Sequence, residues 1–246
     1  MKGILFVTCL GDTFYPGAVR AAVRVLERSG MEVRCPPDQT CCGQPMFNAG
    51  YFDRSAGVAR RFLKVFGDTE DPIIAPSSSC AAMVRVHYPR LFRDDPKALE
   101  VARCIGERTY EFCEFLVNHL EVNLAEMGAR FEESVTYHHS CHFRGLASGN
   151  DPVDLIEQIP DIRYIPLKEM DTCCGFGGTF SLNLPHVSGN MTARKLQCIL
   201  DTGADWLVFA DPGCALNITG YAHRIGKPVK AMHIAELIHK ALGGSP

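Results

Sequence analysis

The sequence predicts an α/β protein with two pseudo-symmetric lobes, each a small parallel sheet flanked by helices. Two observations predict this fold class. The tetrapeptide Thr-Cys-Cys-Gly occupies residues 40–43 and again residues 172–175, and Cys9 precedes the first copy at the same spacing as Cys141 precedes the second. Short apolar runs also alternate with segments of helical periodicity in both halves, which is the element order of βαβ units around a parallel sheet.

The cysteine repeat includes eight of the twelve cysteines in this chain of 246 residues. Each copy reads C-x31-C-C-G and, after 36 or 38 intervening residues, ends in a fourth cysteine. The repeated positions are Cys9, Cys41, Cys42 and Cys80 in the first copy and Cys141, Cys173, Cys174 and Cys214 in the second. Spacings kept in register indicate a duplication. We therefore expect two domains: residues 1–120, a first repeat with its linking helix, and residues 121–246, a second repeat.

The first half opens with an apolar run at residues 4–7 that is typical of a buried strand. Residues 17–29 have apolar side chains at helical spacing, and Gly30 stands where such a helix ends. The predicted elements of this half are strand 4–7, helix 17–29, strand 31–34, helix 54–66, strand 72–76 and a long linking helix over about 98–120.

The second half repeats this order, with strand 134–138, helix 153–158, strand 163–166, helix 187–200, strand 206–210, strand 228–231 and helix 233–242. In both halves the single cysteines directly follow predicted strands, and the paired cysteines lie in loops after strands. Open α/β sheets bind ligands at the carboxyl edge of their strands. We therefore expect four thiols to gather at such an edge in each half.

Composition excludes several classes of function. The formal net charge of −3 comes without a basic stripe that would indicate nucleic acid binding, and no segment approaches the length of a membrane span. The apolar run after Met1 is too short for a secretory signal. A chain of this kind is expected in the reducing cytoplasm, where patterned cysteines more often bind metal or do redox chemistry than form disulfides.

Spacing alone leaves three interpretations of the cysteines open. Zinc prefers four ligands around a single ion, usually from C-x2-4-C knuckles, and directly adjacent cysteines strain to reach one ion. An iron–sulfur cluster presents several metals, so neighbouring thiolates can each bind a different iron. The spacing favours a cluster, while zinc and disulfide or dithiol chemistry remain alternatives.

The repeated pattern resembles the cysteine-rich CCG domain family, which includes a subunit of heterodisulfide reductase and the iron–sulfur subunits of glycolate oxidase and anaerobic glycerol-3-phosphate dehydrogenase. Further stretches are similar to the lactate utilisation protein A group of that family: VTCLGDTFYPG (7–17), QTCCGQPMFNAGY (39–51), APSSSCAAMV (75–84), HHSCHFRG (138–145) and TCCGFGGTFS (172–181). The resemblance covers about residues 6–216 of the chain.

The resemblance implies an oxidoreductase subunit that holds two [4Fe-4S] clusters, or a non-cubane variant, on the eight repeated cysteines. It would accept or relay electrons in a cytoplasmic complex that oxidises L-lactate, a small hydroxy acid, to pyruvate. The implied partners are a ferredoxin-like iron–sulfur subunit and a further lactate utilisation subunit. Alternatives are a thiol–disulfide oxidoreductase like heterodisulfide reductase and a non-catalytic zinc or redox-sensing protein.

The sequence departs from the widest family pattern at two positions. That pattern ends in C-x-x-C, but here Ser77 and Asp211 stand three residues before the last cysteine of each copy. Neither site can therefore have the fifth cysteine ligand that the family pattern supplies at this position. Asp211 becomes a candidate oxygen ligand of a metal.

Polar side chains around Cys141 are the candidates for substrate handling. His138, His139 and His142 surround this cysteine, and a histidine here could hydrogen-bond a cluster sulfur or take a proton from a substrate hydroxyl. Arg144 follows three residues later and could clamp a carboxylate with two hydrogen bonds. We predict His142 and Arg144 as catalytic residues.

Overall fold

The structure, a computed structural model, describes residues 1–144, 146, 149–170 and 172–244, apart from the side chain of Arg144. Its strands form two four-stranded sheets, one in each half of the chain. Every pair of neighbouring strands in both sheets is parallel. The predicted α/β class with two lobes is confirmed.

The elements of the first lobe are β1 (Lys2–Leu5), α1 (Cys9–Phe14), α2 (Pro16–Arg28), β2 (Glu32–Arg34), α3 (Gln44–Asn48), α4 (Phe52–Phe66), β3 (Ile73–Ala75), α5 (Ser78–Ala82), a π-helical turn (Met83–His87), α6 (Tyr88–Leu91), α7 (Pro96–Glu107), β4 (Thr109–Glu111) and α8 (Phe112–Asn118). The strands are ordered β2-β1-β3-β4 across the sheet. Helix α2 buries its alanine, valine and leucine face, and Gly30 ends it with a φ of +87°.

The elements of the second lobe are β5 (Ser134–His138), α9 (Cys141–Arg144), α10 (Asp151–Glu157), β6 (Arg163–Tyr164), α11 (Phe180–Asn183), α12 (Pro185–Leu200), β7 (Trp206–Phe209), α13 (Pro212–Arg224), β8 (Ala231–His233) and α14 (Ile234–Ala241). The strand order, β6-β5-β7-β8, repeats that of the first lobe. The central strands β1 and β3 therefore correspond to β5 and β7.

The predicted linking helix over 98–120 is wrong, because strand β4 interrupts it. Thr109 ends α7 by donating its hydroxyl to the carbonyl of Ile105 at 2.7 Å. Glu111 is buried and caps α8, accepting hydrogen bonds from the backbone of Cys113 and Glu114. These two side chains separate the helices, and the residues between them pair with β3 at the edge of the first sheet.

The last strand also differs from its prediction at 228–231. Strand β8 covers Ala231–His233 instead and pairs with β7. Pro228 lacks the N–H that a sheet ladder needs, whereas His233 is buried and caps α14. The segment 228–231 thus begins in the connection before β8 and enters the strand only at Ala231.

The two lobes share one hydrophobic core. Helix α14, at the end of the second lobe, packs against α2 of the first. Their buried side chains join Leu5 and Ile74 of the first sheet and Val135 and Val208 of the second in a single cluster. Two smaller cores consist mainly of first-lobe side chains and of second-lobe side chains, respectively. The domain boundary after residue 120 stays a prediction.

Candidate metal centre

Four of the repeated cysteines lie at helix starts directly after the central strands of the sheets. Cys9 is the first residue of α1, and Cys141 is the first residue of α9. Cys80 and Cys214 each occupy the third position of the helix that follows β3 or β7. All four therefore lie at the carboxyl edges of the strands, where the sequence places them.

The two Cys-Cys-Gly turns depend on their glycines. Gly43 has a φ of +85° and Gly175 a φ of +82°, in the left-handed region that other residues rarely adopt. A Cβ atom on Gly175 would lie 2.8 Å from the carbonyl oxygen of Ser188. The conformation and the lack of space together require glycine at this position.

Buried side chains hold the second cysteine of each pair by its carbonyl oxygen. The Tyr88 hydroxyl donates to the carbonyl of Cys42 at 3.0 Å. In the second lobe, Thr192 Oγ1 and Asn217 Nδ2 both donate to the carbonyl of Cys174 at 3.0 Å. Different residues thus fix the same backbone position in each lobe. The cysteine spacing gave no signal for these anchors.

The four thiols of the first lobe form one contiguous group. The Sγ atoms of Cys9 and Cys41 are 3.4 Å apart, and those of Cys42 and Cys80 are 3.5 Å apart. The Gly43 N–H also donates to Cys41 Sγ at 3.4 Å. Hydrogen bonds from Cys42 and Cys9 lower the pKa of Cys41 to about 3, while the same bonds raise the pKa of both donors. Cys41 is therefore the thiolate of this group.

The second lobe repeats this arrangement. The Cys174 thiol contacts Cys214 Sγ at 2.9 Å, and the Gly175 N–H donates to Cys173 Sγ at 3.4 Å. Hydrogen bonds from Cys141 and Cys174 lower the pKa of Cys173 to about 2. Each half thus holds one thiolate supported by a backbone N–H and two neighbouring thiols.

All eight repeated cysteines line one cavity of about 350 Å³ between the lobes. The sequence predicted four thiols at a sheet edge in each half, and the structure brings each set of four together. It also places the two edges face to face, which the sequence did not predict. Because eight of the lining residues are cysteines, the cavity offers a ligand soft sulfur donors, beside polar groups such as His142 and Asp211.

His142 lies on this cavity and connects the lobes. Gln44 Nε2 donates to the carbonyl of Ser79 at 3.0 Å and lies 3.1 Å from His142 Nε2. Since an amide nitrogen only donates, His142 Nε2 accepts and its Nδ1 carries the proton. That Nδ1 atom lies 3.7 Å from Cys141 Sγ, so the ring donates toward the sulfur. The side chain of Arg144, the other predicted catalytic group, lies outside the described residues.

The carboxylate of Asp211 faces the serines of the first lobe rather than standing free. Its Oδ2 accepts from Ser79 N at 2.9 Å and from Ser78 Oγ at 3.2 Å. Its Oδ1 accepts from Gly213 N at 3.2 Å, which caps α13. These bonds give Asp211 a structural role, and both carboxylate oxygens are occupied by protein donors. Asp211 also lines the cavity, and its predicted role as a metal ligand stays a prediction.

Two buried polar groups lie beside the second set of thiols, and only the first of them, His138, was named from the sequence. The ring of His138 has donor atoms within 4.8 Å of the Sγ atoms of Cys174 and Cys214, and burial lowers its pKa to about 3. Lys195 is fully buried and donates to the carbonyl of Glu169 at 2.8 Å. The histidine pair before Cys141 was a visible signal, whereas a lysine within a helical pattern was not.

Comparison with known proteins identifies the family. The model of the cysteine-rich domain family named CCG matches residues 4–85 and 135–219, which are the two halves of the repeat. The chain belongs to the CCG family. Within it, the chain is 43% identical over 240 residues to Lactate utilization protein A of Bacillus pumilus, covering 97% of this chain and 99% of the relative. The corresponding protein of Geobacillus thermodenitrificans is 42% identical with the same coverage.

A solved structure supports the fold of this CCG protein. The crystal structure of a hypothetical protein from Helicobacter pylori aligns with 100% of the chain at a TM-score of 0.65 and 12% sequence identity. The match covers 49% of that longer protein. At this identity the likeness concerns the fold alone. In the part of the chain that the structure describes, no helix is both long and apolar enough to cross a membrane.

The residues of this CCG protein suit a bound metal or metal–sulfur cluster. Each lobe offers four convergent thiols, and each group includes a thiolate that is the charge state required for ligation. The other four cysteines do not line the cavity: Cys113 is buried in the shared core, Cys104 and Cys35 are exposed, and Cys198 is half-buried on α12. The twelve cysteines therefore divide into eight that line the cavity and four that do not.

Proposed function

We propose that the chain is the iron–sulfur subunit of a cytoplasmic complex that oxidises L-lactate to pyruvate, in which it accepts or relays the electrons. The observation that carries this proposal is the cavity lined by all eight repeated cysteines. Relatives that are 42–43% identical over nearly their whole length are Lactate utilization protein A, which supports lactate as the substrate of the pathway.

The ligands in this proposal are the two sets of repeated cysteines: Cys9, Cys41, Cys42 and Cys80 for one cluster, and Cys141, Cys173, Cys174 and Cys214 for the other. When bound, four-iron clusters, cubane or non-cubane, supply sites that take up and release single electrons. The protein holds the sulfurs in place through the two glycine turns. It also limits the access of water, because Cys42, Cys80, Cys174 and Cys214 are buried.

Partner proteins complete the proposed activity. The sequence has neither a nucleotide fingerprint nor a C-x2-C-x2-C-x3-C-P ferredoxin motif, so electrons need other carriers on both sides. Leu182 lines the cavity and keeps 78% of its surface exposed. Such an apolar rim suits contact with a second subunit. We propose a ferredoxin-like iron–sulfur subunit and a further lactate utilisation subunit as these partners.

His142 and Arg144 remain candidates for handling a hydroxy acid at the cavity. The Nε2 atom of His142 is engaged by Gln44, so proton abstraction would first require that contact to open. Its Nδ1–H points toward Cys141 Sγ, where it would stabilise negative charge on the sulfur. Arg144 would pair with the substrate carboxylate.

Anaerobic purification followed by iron and acid-labile sulfide analysis tests the proposal. We expect iron and sulfide in the protein, and reduction of its clusters by lactate only when the partner subunits are present. Colourless protein that contains zinc, or no metal at all, would contradict the electron-transfer role. Turnover of lactate by the isolated chain would contradict the need for partners.

A thiol–disulfide oxidoreductase is the second candidate. The observation that favours it is the 2.9 Å contact between Cys174 Sγ and Cys214 Sγ, which would need little movement to form a disulfide. In that case the purified protein should reduce a mixed disulfide, and Cys214→Ser should abolish this activity. A cluster-bearing protein without disulfide-reducing activity would exclude the candidate.

A further inference from the structure

His138 is buried behind the thiols of the second lobe and has no hydrogen-bond partner in the part of the chain that the structure describes. It is the last residue of the central strand β5, and only 1% of its surface is exposed. Neither Nδ1 nor Nε2 contacts a protein donor or acceptor among the described residues. A buried polar atom left unpaired destabilises the folded state, so an imidazole with two such atoms needs a partner.

Two thiols of the cysteine repeat lie close to the His138 ring. The ligating atoms of His138, Cys174 and Cys214 all lie within 4.8 Å of one another, and all three residues are buried. Imidazole nitrogen and thiolate sulfur together bind zinc and iron, including the iron of some iron–sulfur centres. The unpaired imidazole of His138 therefore lies close enough to the thiols to bind the proposed metal.

The first lobe has no equivalent of this histidine. Cys9 and Cys141 are both three residues after the matching position, which is Phe6 in the first repeat and His138 in the second. Phe6 is fully buried and packs edge-on against Phe62 and Phe66, at centroid distances of 4.8 and 5.7 Å. In the first lobe the apolar ring of Phe6 thus occupies the position that a potential metal ligand, His138, occupies in the second lobe.

We propose that His138 is a nitrogen ligand of the metal centre in the second lobe, so that the two lobes hold chemically different centres. The inference rests on the proposed metal binding and deepens it. The first centre has only cysteine ligands, whereas the second combines Cys141, Cys173, Cys174 and Cys214 with a neutral imidazole.

The wild-type protein, purified anaerobically with its native metal, provides the first test. X-ray absorption at the K edge of each metal found by elemental analysis should show imidazole scattering beyond the sulfur shell. In reduced protein with paramagnetic iron, labelling histidine with ¹⁵N should change the nitrogen hyperfine coupling seen by pulsed EPR. Full metal occupancy with sulfur scattering alone would overturn the inference and leave the iron–sulfur proposal intact. Protein without any metal would overturn both.

His138→Phe assigns the signal to this residue and copies the side chain of the first repeat. We expect loss of the imidazole signal and of up to half of the bound metal, with an unchanged centre in the first lobe. His186→Phe, an exposed histidine on α12, is the matched control, and His142→Phe tests the other histidine beside the cysteines. An imidazole signal that survives in His138→Phe but disappears in His142→Phe would overturn the assignment. Circular dichroism checks the fold, and the wild-type measurement decides the question if His138→Phe does not fold.

Discussion

Ser77 and Asp211 occupy matching positions in the two repeats, and their side chains meet across the lobe interface, with Ser77 Oγ donating to Asp211 Oδ2 at 3.5 Å. Both residues are buried. The neighbouring Ser78 adds a second contact, since its hydroxyl lies 2.6 Å from that of Ser140 in the other lobe. The positions where the widest family pattern has a further cysteine are used here to join the lobes.

Asp211→Ala should destabilise the protein by about 2–4 kcal/mol, because it removes a charge-assisted hydrogen-bond acceptor from buried donors and the cap of α13. Denaturant unfolding followed by circular dichroism measures the effect. Asp94→Ala is the control, since 88% of that side chain is exposed and its loss should change stability by less than about 0.5 kcal/mol. Equal effects of the two substitutions would show that the interlobe contact is weak.

Cysteines inside and outside the repeat should differ in their effect on metal content. Cys42→Ser or Cys174→Ser should remove about half of the iron, because each changes a ligand of one of the two proposed centres. Cys104→Ser, at an exposed position, and Cys113→Ala, in the shared core, should leave the iron content unchanged. Iron analysis of the four variants tests this division. Similar losses in all four would mean that general destabilisation, rather than ligation, controls the iron content.

Much of the fold could be predicted because the cysteine pattern and the order of strands and helices both occur twice in the sequence. Strand 134–138 was predicted with its observed bounds, and the helices at 17–29 and 54–66 were predicted to within two residues. Strand β4 was missed because its three residues follow a helical pattern without a break. Two contacts make it a strand: the local capping of α8 by Glu111 and the long-range pairing with β3.

The membership of the two thiol groups could also be predicted, but their shared cavity could not. The parallel-sheet edge and the spacing of Cys9 and Cys141 lead to one group per lobe. The relative placement of the lobes depends on the packing of α14 against α2 and on contacts such as that between Gln44 and His142, 98 residues apart. No local pattern encodes pairings over such distances. The sequence also could not predict that His138 is buried beside the thiols. The alternation of side chains along β5 does not show which face of the strand meets them.

The turn glycines should be intolerant of substitution. Gly175→Ala forces alanine into a φ of +82° and brings its Cβ within 2.8 Å of a carbonyl oxygen. We expect the free energy of unfolding to fall by about 1–3 kcal/mol and the metal content of the second lobe to be reduced. Gly220→Ala is the contrasting control, because this exposed residue of α13 has open space around its Cα. That change should stabilise the protein by about 0.5–1 kcal/mol. A destabilised Gly220→Ala together with a tolerated Gly175→Ala would contradict the geometry of the turn.

Glu111 should make the stability of the protein fall as the pH rises. Burial raises the pKa of this fully enclosed carboxyl from 4.5 to about 8, although the backbone of Glu114 and Cys113 donates to it. In the unfolded chain the group ionises near 4.5. Between these two values the folded state holds a proton that the unfolded state has released. Its contribution to stability is therefore complete below pH 4.5 and is lost as the pH rises through about 8.

Glu111→Gln should remove this pH dependence, because the amide imitates the protonated carboxyl and still caps α8. We expect the unfolding free energy of the wild type to fall more steeply than that of the variant, by about 1.4 kcal/mol per pH unit between about pH 5 and 8. Denaturant titrations at several pH values measure both slopes. Glu100→Gln, at an exposed position of α7, should keep the wild-type slope. Parallel slopes for the wild type and Glu111→Gln would show that Glu111 is already ionised in the folded protein, held by its backbone donors and by relaxation of the surrounding core.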